Sequence, residues 1–319
     1  MAERGWGRAA AVTLVAATIA LAGAGAATAK GGEIGGAGNL YFLNDAWSGT
    51  ANRQLAYGDG GDRVYAGDWD GNGTDTLAVR RANTYYFTNS QSGGSAEAVI
   101  AYGRPDDVVL MGDWDGNGTD TPAVRRGNVY HIKNSLSGGA ADVVVGYGRP
   151  DDTVVVGDWD GNGSDTLGVR RGSTYYLKNS LTPGDADRVL AFGRAADRVL
   201  VGDWDGNGTD TLAVRRESTY YLSNSFSGGS ADRVVTYGRA TDTTLVGDWD
   251  GDASDTLGVR RAPAPAPAPA PARPVDLDCE DFATQAQAQA EFARWYPIFG
   301  DVHRLDADGD GIACESYFG

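Results

Sequence analysis

The stretch Gly67-Asp68-Trp69-Asp70-Gly71-Asn72-Gly73-Thr74-Asp75-Thr76 returns almost unchanged from Gly112, Gly157, Gly202 and Gly247, at a constant spacing of 45 residues. A period of about 40–45 residues with a Gly- and Asp-rich signature marks an array such as a β-propeller, in which each unit buries its apolar face only against its neighbours. Within one unit, four short runs, Val108 to Met111, Thr121 to Arg126, Val129 to Ile132 and Ala141 to Tyr147, are separated by Gly, Asn, Asp and Ser clusters. Such runs are strands bounded by turns, and four of them make a propeller blade. The first run is apolar in every copy, as in Val154-Val155-Val156, which predicts a strand covered on both faces near the centre of a ring.

The array begins part-way through a unit. Leu40-Tyr41-Phe42 aligns with Tyr85-Tyr86-Phe87 one period later, so the chain opens with the third and fourth strands of a blade, Leu40 to Tyr57. It closes with the first and second strands of another, Thr243 to Arg261, and four complete units lie between. Joining the two halves makes a fifth blade and removes the exposed strand edges that an open array would carry. The expected fold is therefore all-β: a five-bladed β-propeller over residues 39–261, closed by N-terminal and C-terminal half-blades.

The ends of the chain differ from the array. Residues 1–29 read as a secretory signal peptide, with Arg4 and Arg8 before an apolar run from Ala9 to Ala26 and small residues Ala27-Thr28-Ala29 for cleavage. The competing reading is an uncleaved membrane anchor, which the alanine-rich run suits less well. Residues 30–38 form a Gly-rich lead, and 262–274 an Ala-Pro linker whose alternating prolines favour extended polyproline II. Residues 275–319 are left as a small domain, with a helix expected from Asp281 to Trp295 that packs Phe282, Phe292 and Trp295 inward.

Two cysteines, Cys279 and Cys314, are the whole complement of a chain that reads as exported, so a disulfide between them is expected, with a reactive free thiol as the alternative. A loop of this size stabilises a small domain by about 2–4 kcal/mol. The formal net charge of −16, from 43 acidic and 27 basic residues, weighs against nucleic acid and anionic membranes as partners and favours metal cations.

Asp306-Ala307-Asp308-Gly309-Asp310-Gly311-Ile312-Ala313-Cys314-Glu315 places carboxylates at alternate positions of a loop turned by Gly311. Asp306, Asp308 and Asp310, the Ile312 carbonyl and Glu315 can supply an oxygen shell for one hard cation, calcium above all. A hydrogen-bonded acidic turn without metal is the alternative. Together with Cys279 in Asp278-Cys279-Glu280-Asp281-Phe282, this stretch resembles the excalibur domain, an extracellular calcium-binding region with the hallmark Asp-x-Asp-x-Asp-Gly-x-x-Cys-Glu. The resemblance implies calcium as cofactor and covers about the last 45 residues.

The repeat loops are a looser case of the same pattern. Their candidate ligands are Asp68, Asp70, Asn72 and Asp75; Asp113, Asp115, Asn117 and Asp120; Asp158, Asp160, Asn162 and Asp165; Asp203, Asp205, Asn207 and Asp210; and Asp248, Asp250, Asp252 and Asp255. These repeats resemble the FG-GAP and VCBS families, whose Asp-x-Asp-x-Asp-Gly-x-x-Asp loops bind calcium between two strands of a blade. Here Asp75 falls one place before the closing position, where Thr76 stands. The other reading is structural, with the side chains accepting backbone N–H bonds in a tight hairpin. Ala253 replaces the second loop glycine in the last copy, so that loop is expected to have the least favourable geometry.

Further repeated residues carry paired readings. Each double arginine, Arg80-Arg81 and its equivalents, bonds a carboxylate of a neighbouring turn or binds ligand. The five tryptophans from Trp69 to Trp249 pack between blades or form a stacking platform. In Tyr85-Tyr86, Tyr175-Tyr176 and Tyr220-Tyr221 adjacent residues face opposite ways, so one of each pair can line a groove. His131 stands where other repeats carry tyrosine, and with His303 it completes the histidines. No nucleophile elbow, zincin helix or phosphate loop is present. The expected function is a non-catalytic, calcium-binding, secreted or cell-surface protein that binds glycan or cell-wall polymer, as the resemblance to exported surface proteins of Gram-positive bacteria implies. The alternatives are a propeller-type glycan hydrolase and a structural spacer.

Overall fold

The computed structural model describes residues 31–262 and 270–319. The expected signal peptide and residues 263–269 of the expected linker lie outside the described residues. The chain divides into two units, one ending at Pro263 and the other beginning at Ala264.

Among the described residues the first unit is built of twenty strands. β1 (Leu40–Leu43) and β2 (Arg53–Ala56) open it. Four complete quartets follow: β3 (Arg63–Gly67), β4 (Thr76–Arg81), β5 (Thr84–Phe87) and β6 (Ala98–Ala101); β7 (Val108–Gly112), β8 (Thr121–Arg126), β9 (Val129–Ile132) and β10 (Val143–Gly146); β11 (Thr153–Gly157), β12 (Thr166–Arg171), β13 (Thr174–Leu177) and β14 (Arg188–Ala191); β15 (Arg198–Gly202), β16 (Thr211–Arg216), β17 (Thr219–Leu222) and β18 (Arg233–Thr236). β19 (Thr243–Gly247) and β20 (Thr256–Arg261) end the array. The quartets form blades 1 to 4, each an antiparallel sheet in chain order, and blade 5 has the order β19-β20-β1-β2. The half-blades thus join as expected, with Tyr41 opposite Arg260 and Leu43 opposite Gly258.

Pairing corrects the alignment of the first half-blade by one residue. Tyr41, not Leu40, takes the place of Tyr85, because each is fully buried and each stands opposite the first arginine of a pair. The loop from Asn44 to Asn52 is one residue shorter than its counterpart from Thr88 to Glu97, and that absorbs the shift.

The first strands β3, β7, β11, β15 and β19 neighbour one another in turn, and β19 returns to β3. They form the inner wall, and from the second residue on they are almost wholly buried, as their apolar sequences predict. The Gly-rich lead runs along this wall: the Met111 N–H donates to the Gly31 carbonyl and the Ile34 N–H to the Val64 carbonyl, each at 2.7 Å. Glycine is required at position 31, where a Cβ would stand 2.0 Å from the Met111 carbonyl oxygen.

An apolar cluster fills each blade junction. Trp69, Trp114, Trp159, Trp204 and Trp249 are all buried within these clusters, so they pack between blades and form no exposed platform.

Among its described residues the second unit holds one α-helix of length, α1 (Gln285–Phe299), and the short α2 (Glu315–Phe318). α1 starts four residues later than expected. Cys279–Asp281 instead form a single 3-10 turn closed by Asp278 and Asp281, and Thr284 caps α1 by accepting the Gln287 N–H. Phe292 is buried with Ala288, Leu305 and Ala313, and Phe282 packs on that cluster, whereas Trp295 is half-buried. Cys279 and Cys314 form the expected disulfide, closing a separation of 35 residues.

Candidate functional site

The repeat loop is a turn wound around its first aspartate. In blade 1 the Asp68 carboxylate accepts the N–H groups of Asp70, Gly71, Asn72 and Gly73, and the Asn72 side chain accepts the Thr74 N–H at 2.8 Å. Gly71 and Gly73 have positive φ, which lets successive N–H groups converge on one carboxylate. Asp113, Asp158, Asp203 and Asp248 are used in the same way. The loop at Ala253 keeps this geometry: Ala253 takes φ 71° and still donates to Asp248 at 2.8 Å.

Asp75 and its equivalents look elsewhere. Asp75 accepts the Asp248 N–H at 2.9 Å and donates its own N–H to the Asp248 carbonyl at 2.7 Å, across the junction of blades 5 and 1. Asp120 does this to Asp68, Asp165 to Asp113, Asp210 to Asp158 and Asp255 to Asp203. The acid that stood at the odd spacing in sequence is a rivet between blades.

The first and last aspartates of all five loops meet where the blades converge, around a mouth of about 320 Å³ on the ring axis. Burial pushes Asp113 and Asp203 above the usual carboxylate range, against the backbone N–H groups that favour their charge. Asp70 and Asp160 are raised as well, first by burial and then by Asp68 and Asp158 beside them. Asp250 is raised by burial, then by Asp252 and Asp248. Among the described residues, only the fifth propeller loop brings three carboxylates, those of Asp248, Asp250 and Asp252, within 4.8 Å of one another; the other four carry Asn at the third position.

Both arginines of each pair are structural partners. The second forms a bidentate bond with a turn aspartate of its own blade: Arg81 with Asp62, Arg126 with Asp107, Arg171 with Asp152, Arg216 with Asp197 and Arg261 with Asp242. The first reaches into the next blade and donates to turn carbonyls, as Arg170 does to Arg194, Ala195 and Asp197. His131 occupies the half-exposed ring position taken by Tyr86, Tyr176 and Tyr221 in the other complete blades.

The tail loop repeats the propeller turn and then departs from it. Asp306 accepts the N–H groups of Gly309, Asp310 and Gly311, and Asp310 accepts that of Ile312. One carboxylate oxygen each from Asp306, Asp308 and Asp310 lies within 4.8 Å of the others, with Asp308 and Asp310 exposed. Sequence reasoning missed two supports. The Gln289 side chain, on α1, donates to the Gly311 carbonyl at 3.0 Å and accepts the Ala313 N–H at 2.7 Å, which fixes the backbone on both sides of Ile312. Asp301 accepts the N–H groups of Leu305 and Asp306 and so holds the start of the loop.

Glu315 stands at the start of α2, outside the three-carboxylate cluster, and its Oε2 is buried without a hydrogen-bond partner among the described residues. A buried carboxylate oxygen left without a donor is costly unless a cation or water completes it. The donor set is all oxygen, with several carboxylates around an adaptable turn, which fits calcium rather than a metal that prefers nitrogen or sulfur. A comparison with curated proteins finds no match for the chain. The C-terminal unit is similar to the Excalibur calcium-binding domain, whose family model matches residues 276–315, and calcium is the cation that its all-oxygen loop fits.

Proposed function

We propose that the chain is an exported, calcium-binding, non-catalytic protein whose propeller binds an extracellular glycan or cell-wall polymer, with the tail loop as its calcium site. The observation that carries this reading is fivefold equivalence. The axial mouth is lined by the first and last loop aspartates of every blade, with Gly73, Gly118, Gly163 and Gly208 beside them in four blades and Gly251 and Ala253 in the fifth, and no blade contributes a separate constellation of acid, base and nucleophile to it. Hydrolysis of a glycosidic bond needs an acid and a base or nucleophile set apart at one place, and here the same pair of aspartates, each bonded to backbone N–H groups, recurs in every blade. Equivalent shallow sites suit a repetitive polymer, whose successive units engage them together.

The repeat loops resemble FG-GAP and VCBS loops in the spacing of their first acidic residues. Their role here is architectural, since the carboxylate at the closing end of each loop is bonded across a blade junction. Export is supported by the disulfide and the Excalibur likeness, and no helix among the described residues is long and apolar enough to cross a membrane. The test is retention of the purified full-length chain on insoluble cell-wall polysaccharide with and without calcium. Retention in either condition supports the reading, and loss to the supernatant in both removes it.

A further inference from the structure

Each blade keeps one planar side chain half-exposed that its core does not need. On the third strand of each blade, Tyr41, Tyr85, Tyr130, Tyr175 and Tyr220 are fully buried. The residues that follow them, Phe42, Tyr86, His131, Tyr176 and Tyr221, face the other side and are only partly covered. The residue type changes between repeats, but a flat ring stands at all five positions. Opposite the rings, on the outer edge strand of each of these blades, Val99, Val144, Val189 and Val234 are 56 to 59% exposed.

In four blades the second arginine of the pair lies over the ring: Arg81 at 5.2 Å from Tyr86, Arg171 at 4.6 Å from Tyr176, Arg216 at 4.6 Å from Tyr221 and Arg261 at 4.2 Å from Phe42. Each guanidinium is already fixed by its bidentate aspartate, so the shelf is preorganised. The face opens into a groove at the blade junction. Between blades 2 and 3 it measures about 510 Å³ and is lined by Tyr147, Arg149, Arg171, Tyr176, Asp185 and Val189. The equivalent groove between blades 3 and 4 measures about 370 Å³, with Phe192, Arg216, Tyr221 and Val234 in its wall. The Tyr147 hydroxyl donates to the Tyr176 carbonyl at 3.0 Å and ties the two walls together.

We propose that these inter-blade grooves are the sugar-binding sites, each taking one pyranose unit of a polysaccharide; this rests on the polymer-binding reading above. The ring and the valine offer an apolar strip for the C–H face of the sugar, and in the groove between blades 2 and 3 Arg149 and Asp185 offer a polar rim for its hydroxyls. At about 510 and 370 Å³ the grooves have the size of a small-ligand site. They are open at the surface, which suits internal units of a long chain, and their repetition around the disc gives avidity from weak single sites.

The test uses the full-length protein on curdlan, chitin and purified peptidoglycan, with the double variants Tyr176→Ala/Tyr221→Ala and Val189→Asp/Val234→Asp. The second pair changes residues that are already exposed, so it reports on the groove even if removal of the rings disturbs packing. Wild type is expected to be retained on at least one polymer and both double variants to bind at least tenfold more weakly, while Tyr176→Phe/Tyr221→Phe keeps binding. Undiminished retention of both double variants overturns the groove assignment and leaves the polymer-binding reading standing. Failure of the wild type on all three polymers removes both. A concentration-dependent dimer in sedimentation, abolished by the valine variants, assigns the grooves to a second copy of the chain and likewise overturns the proposal.

Discussion

Arg260 donates through Nη2 to the Asp62 carbonyl at 3.0 Å, joining residues 198 apart in sequence across the seam between blade 5 and blade 1. The same guanidinium donates to the carbonyls of Gly38, Ile34, Gly35 and Gly60, and Arg260 is 1% exposed. Arg260 is thus the point where the last strand, the Gly-rich lead and the first complete blade are held together.

Replacing Arg260 by Ala takes a donor from each of these carbonyls, of which Gly60 keeps the Gly38 N–H, at a cost of about 3 kcal/mol. The equivalent change at Arg125, which faces three carbonyls of the next turn and is less buried, is expected to cost less. Urea midpoints of the two variants at fixed slope measure the difference. Equal midpoints would show that the seam is no more dependent on its arginine than an internal junction.

The pH dependence follows from the turn aspartates. Bidentate bonds from Arg81 and Arg216 hold Asp62 and Asp197 below the usual carboxylate range. For Asp107, Asp152 and Asp242 burial is the largest influence and pushes upward, but Arg126, Arg171 and Arg261 together with backbone N–H groups hold the net position low. A carboxylate with a lowered folded pKa contributes stability above its unfolded value of 3.8, and that contribution is lost as pH falls through the folded value. Asp113 and Asp203 act in the opposite sense, gaining stability as pH falls toward 3.8. The urea midpoint is therefore expected to hold or rise slightly down to about pH 4 and to drop steeply below it. The double variant Asp62→Asn/Asp197→Asn should be less stable at neutral pH and show a shallower acid drop.

Ala253→Gly tests backbone strain in the fifth loop. Ala253 occupies the left-handed conformation that Gly73, Gly118, Gly163 and Gly208 supply in the other copies. A non-glycine residue there costs about 1–2 kcal/mol, against about 0.4–1 kcal/mol of unfolded-state entropy that glycine adds. The variant is expected to gain about 0.5–1 kcal/mol. A loss of stability in thermal unfolding would mean that Ala253 makes contacts that outweigh its strain.

The disulfide acts on the second unit alone. Cys279 and Cys314 are both in that unit and join its 3-10 turn to the start of α2. Cys279→Ala/Cys314→Ala should lower the stability of the second unit by about 2–4 kcal/mol and leave the propeller transition unchanged. Amide hydrogen exchange on the full-length variant separates the two units and would reveal a shift in the strands if the separation is wrong.

The architecture was legible because a repeat period states the blade and an offset states the seam. Neither depends on side-chain detail, which is why the half-blades joined as read while the alignment of Leu40 missed by one residue. The tail loop was legible for a similar reason, since its carboxylates lie on one short turn. What the linear pattern concealed is long-range. Asp75 looks like a displaced ligand until the neighbouring blade is present, and only then does it face the Asp248 backbone. Gln289 carries no signal in sequence because its partners lie 22 and 24 residues away.

The junctions at the rim were equally hidden. At one pair of facing positions the residues change from junction to junction: Arg53 bonds Gln91, Ala98 and Leu136 share one apolar cluster, Val143 and Leu181 share the next, and Arg188 and Arg233 lie over Phe226 and Trp47. A scan of single repeats does not show that the changes at these two positions are paired.

Calorimetric titration of the full-length protein with calcium, beside Asp308→Asn, tests the central claim most directly. Asp308 is exposed and takes only a 3.4 Å contact from the Asp310 N–H, so the variant removes ligand charge without unmaking the turn. The account predicts about one site per chain in the wild type, with affinity in the range of about 10⁻⁴–10⁻³ M for extracellular modules, and its loss or at least tenfold weakening in the variant. Four or five sites in the wild type, or one site untouched by Asp308→Asn, would place the calcium in the propeller loops and contradict it.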